Sequence, residues 1–195
     1  NDVPIVGNLT GPVSTASSVM EPVVFYKELR KKNKEAHEYM EFVTQQLIEF
    51  GREQVWAGAD VIAISDPSAT GEILGPKYFK EFTVTYINRI IDAVKAEGAK
   101  TIVHICGHMN PVYKEVHEIK SDALSFDSVV PMKEAKEHLS DRVLMGNIST
   151  YALEFQEPEK IRELTGNCVK NGSDIISPAC GLGMKSPLAN IRAIL

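Results

Sequence analysis

The chain has 195 residues, 44% hydrophobic and 24% charged, with 21 Lys+Arg against 26 Asp+Glu for a formal charge of −5. This is a globular composition with room for a substantial core, and its mild acidity leaves neither the basic footprint of a nucleic-acid binder nor a polybasic stripe for a membrane. Three cysteines are too few and too odd a set for a disulfide framework and point to metal or redox chemistry; with no apolar run of transmembrane length and no signal-peptide pattern in Asn1-Asp2-Val3-Pro4, a cytoplasmic protein is expected.

In chain order, short and nearly continuous apolar runs alternate with segments of helical period, the pattern of parallel βα units whose strands are covered on both faces. The first strand is expected at residues 3–8. Met40, Val43, Leu47 and Phe50 then recur at spacings of three and four and predict a core-facing helical stripe that stops near Gly58. The basic run Arg30-Lys31-Lys32-Asn33-Lys34, with Glu28 and Glu35 beside it, reads as a solvated helix boundary. A second strand is expected at 60–65. Pro76 suits the first turn of the next helix, Phe79, Phe82, Tyr86, Ile90 and Val94 form its buried stripe, and Gly98 ends it. Strands at 101–106, 123–126, 142–145 and 174–177 follow, with helices at 111–120, 133–139 and 158–171 and a last one from Pro187. His37, His117 and His138 fall in helical segments and read as exposed or structural; Cys168 reads as ordinary packing.

Six βα units in a single domain spanning 1–195 suit either a doubly wound sheet or part of a (β/α)8 TIM barrel. Gly7-Asn8-Leu9-Thr10-Gly11-Pro12 does not match the dinucleotide fingerprint, and polar residues gather just past one strand end after another, as a barrel mouth requires. Those residues are Asn8, Asp66, His104 and Cys106, Asp127, Asn147, and Cys180 with Gly181.

His104 and Cys106 are two apart on a strand, so they point the same way. Cys180, 74 positions after Cys106, lies beyond the last strand and would open on the same mouth. One His and two Cys make a zinc ligand set that leaves the fourth tetrahedral position free, as in catalytic sites. Two thiolates offset the dication, so the site suits activation of a substrate thiol better than activation of water. The bland alternative is that H-x-C arises by chance and the cysteines are small hydrophobes. Asp66 is a candidate catalytic carboxylate, but Asp-Pro-Ser is also a turn and capping sequence. Glu72 is a candidate proton acceptor or movable fourth ligand near the mouth, and Asn147 either donates to substrate or fixes a loop.

Gly11-Pro12-Val13-Ser14-Thr15-Ala16-Ser17, Ala57-Gly58-Ala59-Asp60, Ser65-Asp66-Pro67-Ser68-Ala69, Leu74-Gly75-Pro76-Lys77-Tyr78-Phe79, Ser125-Phe126-Asp127-Ser128 and Met145-Gly146-Asn147-Ile148 resemble the uroporphyrinogen decarboxylase superfamily, in order and over essentially the whole chain. Within it, His104-Ile105-Cys106 and Ser177-Pro178-Ala179-Cys180-Gly181-Leu182 are similar to the methylcobamide:coenzyme M methyltransferases. The resemblance implies a (β/α)8 barrel in which His104, Cys106 and Cys180 bind Zn2+. It implies a zinc-bound thiolate of coenzyme M, or another thiol, attacking the methyl group of a methylated corrinoid carried by a corrinoid protein. It also favours a pocket role for Asp127 over simple capping, and Lys185 or amides near Gly181 and Gly183 would serve a sulfonate. The decarboxylase branch carries a Gly-His-Gly type motif near the last strand and no zinc, whereas this chain has Cys180-Gly181 there and no histidine after His138, so porphyrinogen decarboxylation is the second reading. A zinc-stabilised binding module is the third. Since a barrel needs around 250 residues, the chain is expected to be a C-terminal portion with about six βα units. Its exposed sheet edges would then offer a route to homo-oligomers.

Overall fold

The computed structural model describes residues 3–195. Strands β1 (Val6–Thr10), β2 (Val61–Ser65), β3 (Lys100–Ile105), β4 (Ala123–Phe126) and β5 (Val143–Met145) pair in chain order, each parallel to the next. Consecutive parallel strands joined by helical crossovers are the succession of a (β/α)8 barrel. The first strand lies later than the expected 3–8: Pro4 has no amide hydrogen to give the ladder, and pairing runs from Val6 opposite Val61 to Thr10 opposite Ser65. The sixth expected strand, 174–177, joins only through isolated parallel bridges, Met145 with Ile175 and Ile148 with Pro178. There Gly146 donates to Ile175 O and Ile148 to Ser177 O, and the ladder cannot continue through the proline nitrogen.

Three helices fill the first crossover: α1 (Pro12–Val19), α2 (Pro22–Lys31) and α3 (Asn33–Trp56). Pro12 and Pro22 open the first two, where a missing amide hydrogen costs nothing. The basic run bridges α2 and α3 at Lys32 and is exposed, as the charge pattern implies. On α3 the buried face is Ala36, Met40, Val43, Thr44, Leu47, Ile48 and Gly51. Phe50, expected in that stripe, is instead 57% exposed, because the face that meets the sheet turns through Ile48 and Gly51 and leaves position 50 on the outside.

The second crossover holds α4 (Gly71–Tyr78), a π-helical segment (Phe79–Val84) and α5 (Thr85–Ala96). Gly75, at φ 68°, breaks α4 just before Pro76, a conformation open to glycine without a Cβ clash. All five expected stripe residues from Phe79 to Val94 are buried. Further helices follow: α6 (Tyr113–Val116), α7 (Met132–His138), α8 (Thr150–Phe155), α9 (Pro158–Lys170) and α10 (Leu188–Arg192). The main core lies between the outer face of the sheet and α3 and α5, and a second cluster holds α8, α9 and α10 through Leu153, Ile161, Cys168 and Ala193. Among the described residues no helix is long and apolar enough to cross a membrane.

On the inner face, in-register partners make rows across the strands. Thr10, Ser65, His104, Ser125 and Met145 form the row nearest the carboxyl ends, and Asn8, Ala63, Ile102, Ala123 and Val143 form the one beneath. Val6 of β1 and Cys180, beyond β5, line one cavity of about 470 Å³ together with Ser65, His104, Ser125 and Met145. The sheet therefore curls so that its first strand and the segment after its last face the same concavity.

Candidate metal centre

His104 sits near the end of β3, and Cys106 one residue past it. The alternation of a strand puts both side chains on the concave face, with His104 Nε2 3.2 Å from Cys106 Sγ. Cys180 comes from the loop after the bridged 174–178 segment, where the Ala179 amide donates to Ile148 O and fixes the chain beside β5. Its Sγ is 3.9 Å from that of Cys106. The three donor atoms all lie within 4.8 Å of one another. A tetrahedral zinc, with Zn–S of about 2.3 Å and Zn–N of about 2.0 Å, sets its donors roughly 3.5–3.8 Å apart. The donor set therefore fits the ion with small side-chain adjustments, and all three cysteines, Cys168 included, are free of disulfides.

Burial lowers the pKa of His104, against the pull of the Asp127 charge and of a bond from the ring to the Ser125 backbone, so the ring is neutral at physiological pH and carries a lone pair. Burial also pushes the Cys106 thiol up to about 12, with Cys180 and Asp127 adding to the rise. A metal cation must displace that proton, so its binding strengthens as pH rises.

Around the centre, loops are tied by polar contacts. Asp127 accepts from the Gly107 amide (3.3 Å) through one carboxylate oxygen and from Val129 N (3.2 Å) and Ser128 Oγ (3.3 Å) through the other. Gly107 turns the chain at φ 80° directly after Cys106. A Cβ there would meet Glu72 Oε2 at 2.6 Å, an overlap the exposed glutamate tip can relieve, so it is the positive φ that favours glycine. Glu72, exposed on the first turn of α4, accepts from the His108 amide at 3.4 Å. It stands beside the ligand loop, outside the three-donor cluster. Asn147 donates through Nδ2 to Asp127 O (2.8 Å) and Val130 O (2.7 Å), holding the β4 and β5 loops together.

Asp66 is fully buried and accepts from Val13 N (3.2 Å) and Ser14 N (2.7 Å), capping the first turn of α1 from across the sheet. Asn8 lies one row below His104 on the concave side, with an exposed side chain and its carbonyl accepting from Gln54 Nε2. Gly181 follows Cys180 on the cavity wall. The structure thus brings His104, Cys106 and Cys180 together, puts Asp127 and Glu72 against their loop, and sets Asp66 and Asn147 into the framework. Ser125, which sequence reasoning did not single out, adjoins His104 with Oγ 3.1 Å from Nδ1. Its signal is strand register, which a single serine in a sequence does not disclose.

The uroporphyrinogen decarboxylase (URO-D) family model matches residues 1–195. A methylcobamide:CoM methyltransferase from Methanosarcina barkeri is 32% identical over 197 residues, covering 100% of this chain and 57% of that protein. A uroporphyrinogen decarboxylase from Campylobacter concisus is 37% identical over 113 residues, which is 57% of this chain and 33% of that protein. Among solved structures, a methyltransferase from Methanosarcina mazei superposes with a TM-score of 0.93 at 31% identity, covering 100% of this chain and 58% of that one. The chain thus spans a little over half the length of the methyltransferases it resembles. Matched from its first residue to its last, the chain belongs to the uroporphyrinogen decarboxylase family.

Proposed function

We propose that the parent enzyme is a zinc-dependent methyltransferase that moves a methyl group from a methylated corrinoid, presented by a corrinoid protein, to a thiol such as coenzyme M. The observation that carries this reading is the convergence of His104, Cys106 and Cys180, with His104 and Cys180 on the wall of a cavity otherwise lined mainly by apolar side chains. Zinc bound there supplies a Lewis acid that keeps an acceptor sulfur in its thiolate form at neutral pH, and the two cysteinates leave the assembled site anionic and the sulfur nucleophilic.

The chain's own residues bind and orient. His104, Cys106 and Cys180 are the metal ligands. Asp127 and Glu72 hold the 106–108 loop through its amides, fixing the direction of Cys106. Asp66 anchors α1 against the β2 loop, and Asn147 locks the β4 and β5 loops that frame the cavity. Asn8 and the Gly181 backbone, on the concave face and at the mouth, are the substrate-contacting positions. The about 470 Å³ concavity admits a small thiol, while its open mouth leaves room for the donor's flat ring to approach in line. The methyltransferase relatives, matched over the full chain, support this reaction class over decarboxylation. Both substrates are soluble species, in keeping with a cytoplasmic enzyme.

The test is incubation of zinc-loaded protein with methylcobalamin and coenzyme M, following the corrinoid spectrum. Thiol-dependent demethylation that disappears in Cys106→Ala supports the reading. Porphyrinogen decarboxylation by metal-free protein would replace it.

A further inference from the structure

Two side chains of the inner row, His104 and Ser125, lie directly opposite each other across β3 and β4. Ser125 is only 6% exposed, so its hydroxyl meets the ring largely away from water. The imidazole stands between two contacts: Nδ1 is 3.1 Å from Ser125 Oγ, and Nε2 is 3.2 Å from Cys106 Sγ. A neutral imidazole has one N–H and one lone pair, and only the lone-pair nitrogen ligates a metal. From these positions we infer that Ser125 is a positioning residue: its hydroxyl accepts the Nδ1–H of His104 and thereby aims the Nε2 lone pair at Cys106 and Cys180.

The alternative tautomer would place a hydrogen on Nε2, directed at the thiol pair, and would leave the ring unable to ligate from the face that meets them. Backbone register supplies the precision. His104 and Ser125 are adjacent strand partners in the sheet, so the contact is set by the ladder rather than by a flexible loop. A hydroxyl also differs from a carboxylate at this position because it fixes the ring without adding charge beside two cysteines that become anionic on metal binding.

The inference rests on the metal reading of the three donors, and two measurements separate their failures. On the metal-free chain, 15N NMR of the imidazole reads the tautomer directly, with circular dichroism confirming that each variant is folded. Zinc affinity is read by competition with a chromophoric chelator, with His104→Ala as the control for ligation. The expected result is an Nδ1–H tautomer in wild type that is lost in Ser125→Ala and restored in Ser125→Thr. Zinc affinity should fall by about 10–100-fold in Ser125→Ala and recover in the threonine variant. Wild-type tautomer and affinity in Ser125→Ala would overturn the assignment. If wild type bound no zinc, the metal reading would fall, and the NMR result alone would decide whether Ser125 sets the ring.

Discussion

Among the described residues, Asp66 is the one carboxylate that the fold encloses completely, and the effect of Asp66→Asn is calculable. Burial raises the Asp66 pKa from an ordinary 3.8 to about 6, against the bonds from Ser14 and Val13 that pull it down. Between those values the native state holds a proton that the unfolded chain has released. The stability contributed by this group is therefore fully present below 3.8 and is lost as pH rises through 6. At about 1.36 kcal/mol per pH unit, the span amounts to roughly 3 kcal/mol. Other carboxylates act in the opposite sense: the Arg89 guanidinium holds Glu41 low, and the Leu144 amide with Lys136 holds Asp174 low. The wild-type profile mixes both signs, whereas subtraction of the Asp66→Asn profile isolates Asp66. Urea unfolding followed by circular dichroism should show the wild-type-minus-variant stability rising by roughly 3 kcal/mol from about pH 7.5 to about pH 4. A difference that stays flat, or falls on acidification, would mean that the α1 amides keep this carboxylate ionised despite its burial, and would refute the argument.

Three further outcomes follow from named contacts. Gly11→Ala would drive a Cβ into the Cβ and carboxyl group of Asp66; that buried side chain is held by the Val13 and Ser14 amides and cannot move aside freely, and a loss of about 1–3 kcal/mol is expected in denaturant unfolding. Asn147→Ala leaves the Asp127 and Val130 carbonyls without the Nδ2 donor. It should cost about 1–3 kcal/mol and accelerate hydrogen exchange around residues 127–130, with an unchanged exchange pattern as the contrary result. Chelation of bound metal should leave the helical circular dichroism signal intact, because the core lies on the outer face of the sheet and not at the centre. Unfolding on chelation would favour a zinc-stabilised binding module instead.

The parallel βα order was legible because buried strands and amphipathic helices differ in period: Phe79, Phe82, Tyr86, Ile90 and Val94 read as one face and are one. Local departures were not legible. The π-helical segment at Phe79–Val84 leaves the stripe's composition unchanged, and Phe50 is set outward by a fraction of a helical turn that periodicity does not resolve. The start of β1 depends on register with β2, and the weak pairing of 174–178 depends on which amides remain free. At the site, the period of two placed His104 and Cys106 together, whereas the approach of Cys180 required the sheet to curl. Asp66 offered a turn, a cap or a reactive group in the sequence; its two bonds to α1 amides come from residues more than fifty positions away. That is tertiary information.

The central claim is that two cysteines and one histidine hold a zinc ion with a position left for a thiol. X-ray absorption at the zinc edge, on protein loaded with the metal, counts those sulfurs directly. The account predicts one zinc per chain with two sulfur neighbours at about 2.3 Å, rising to three when coenzyme M is added. A sulfur count that stays at two in saturating coenzyme M, or the absence of stoichiometric zinc, would contradict it.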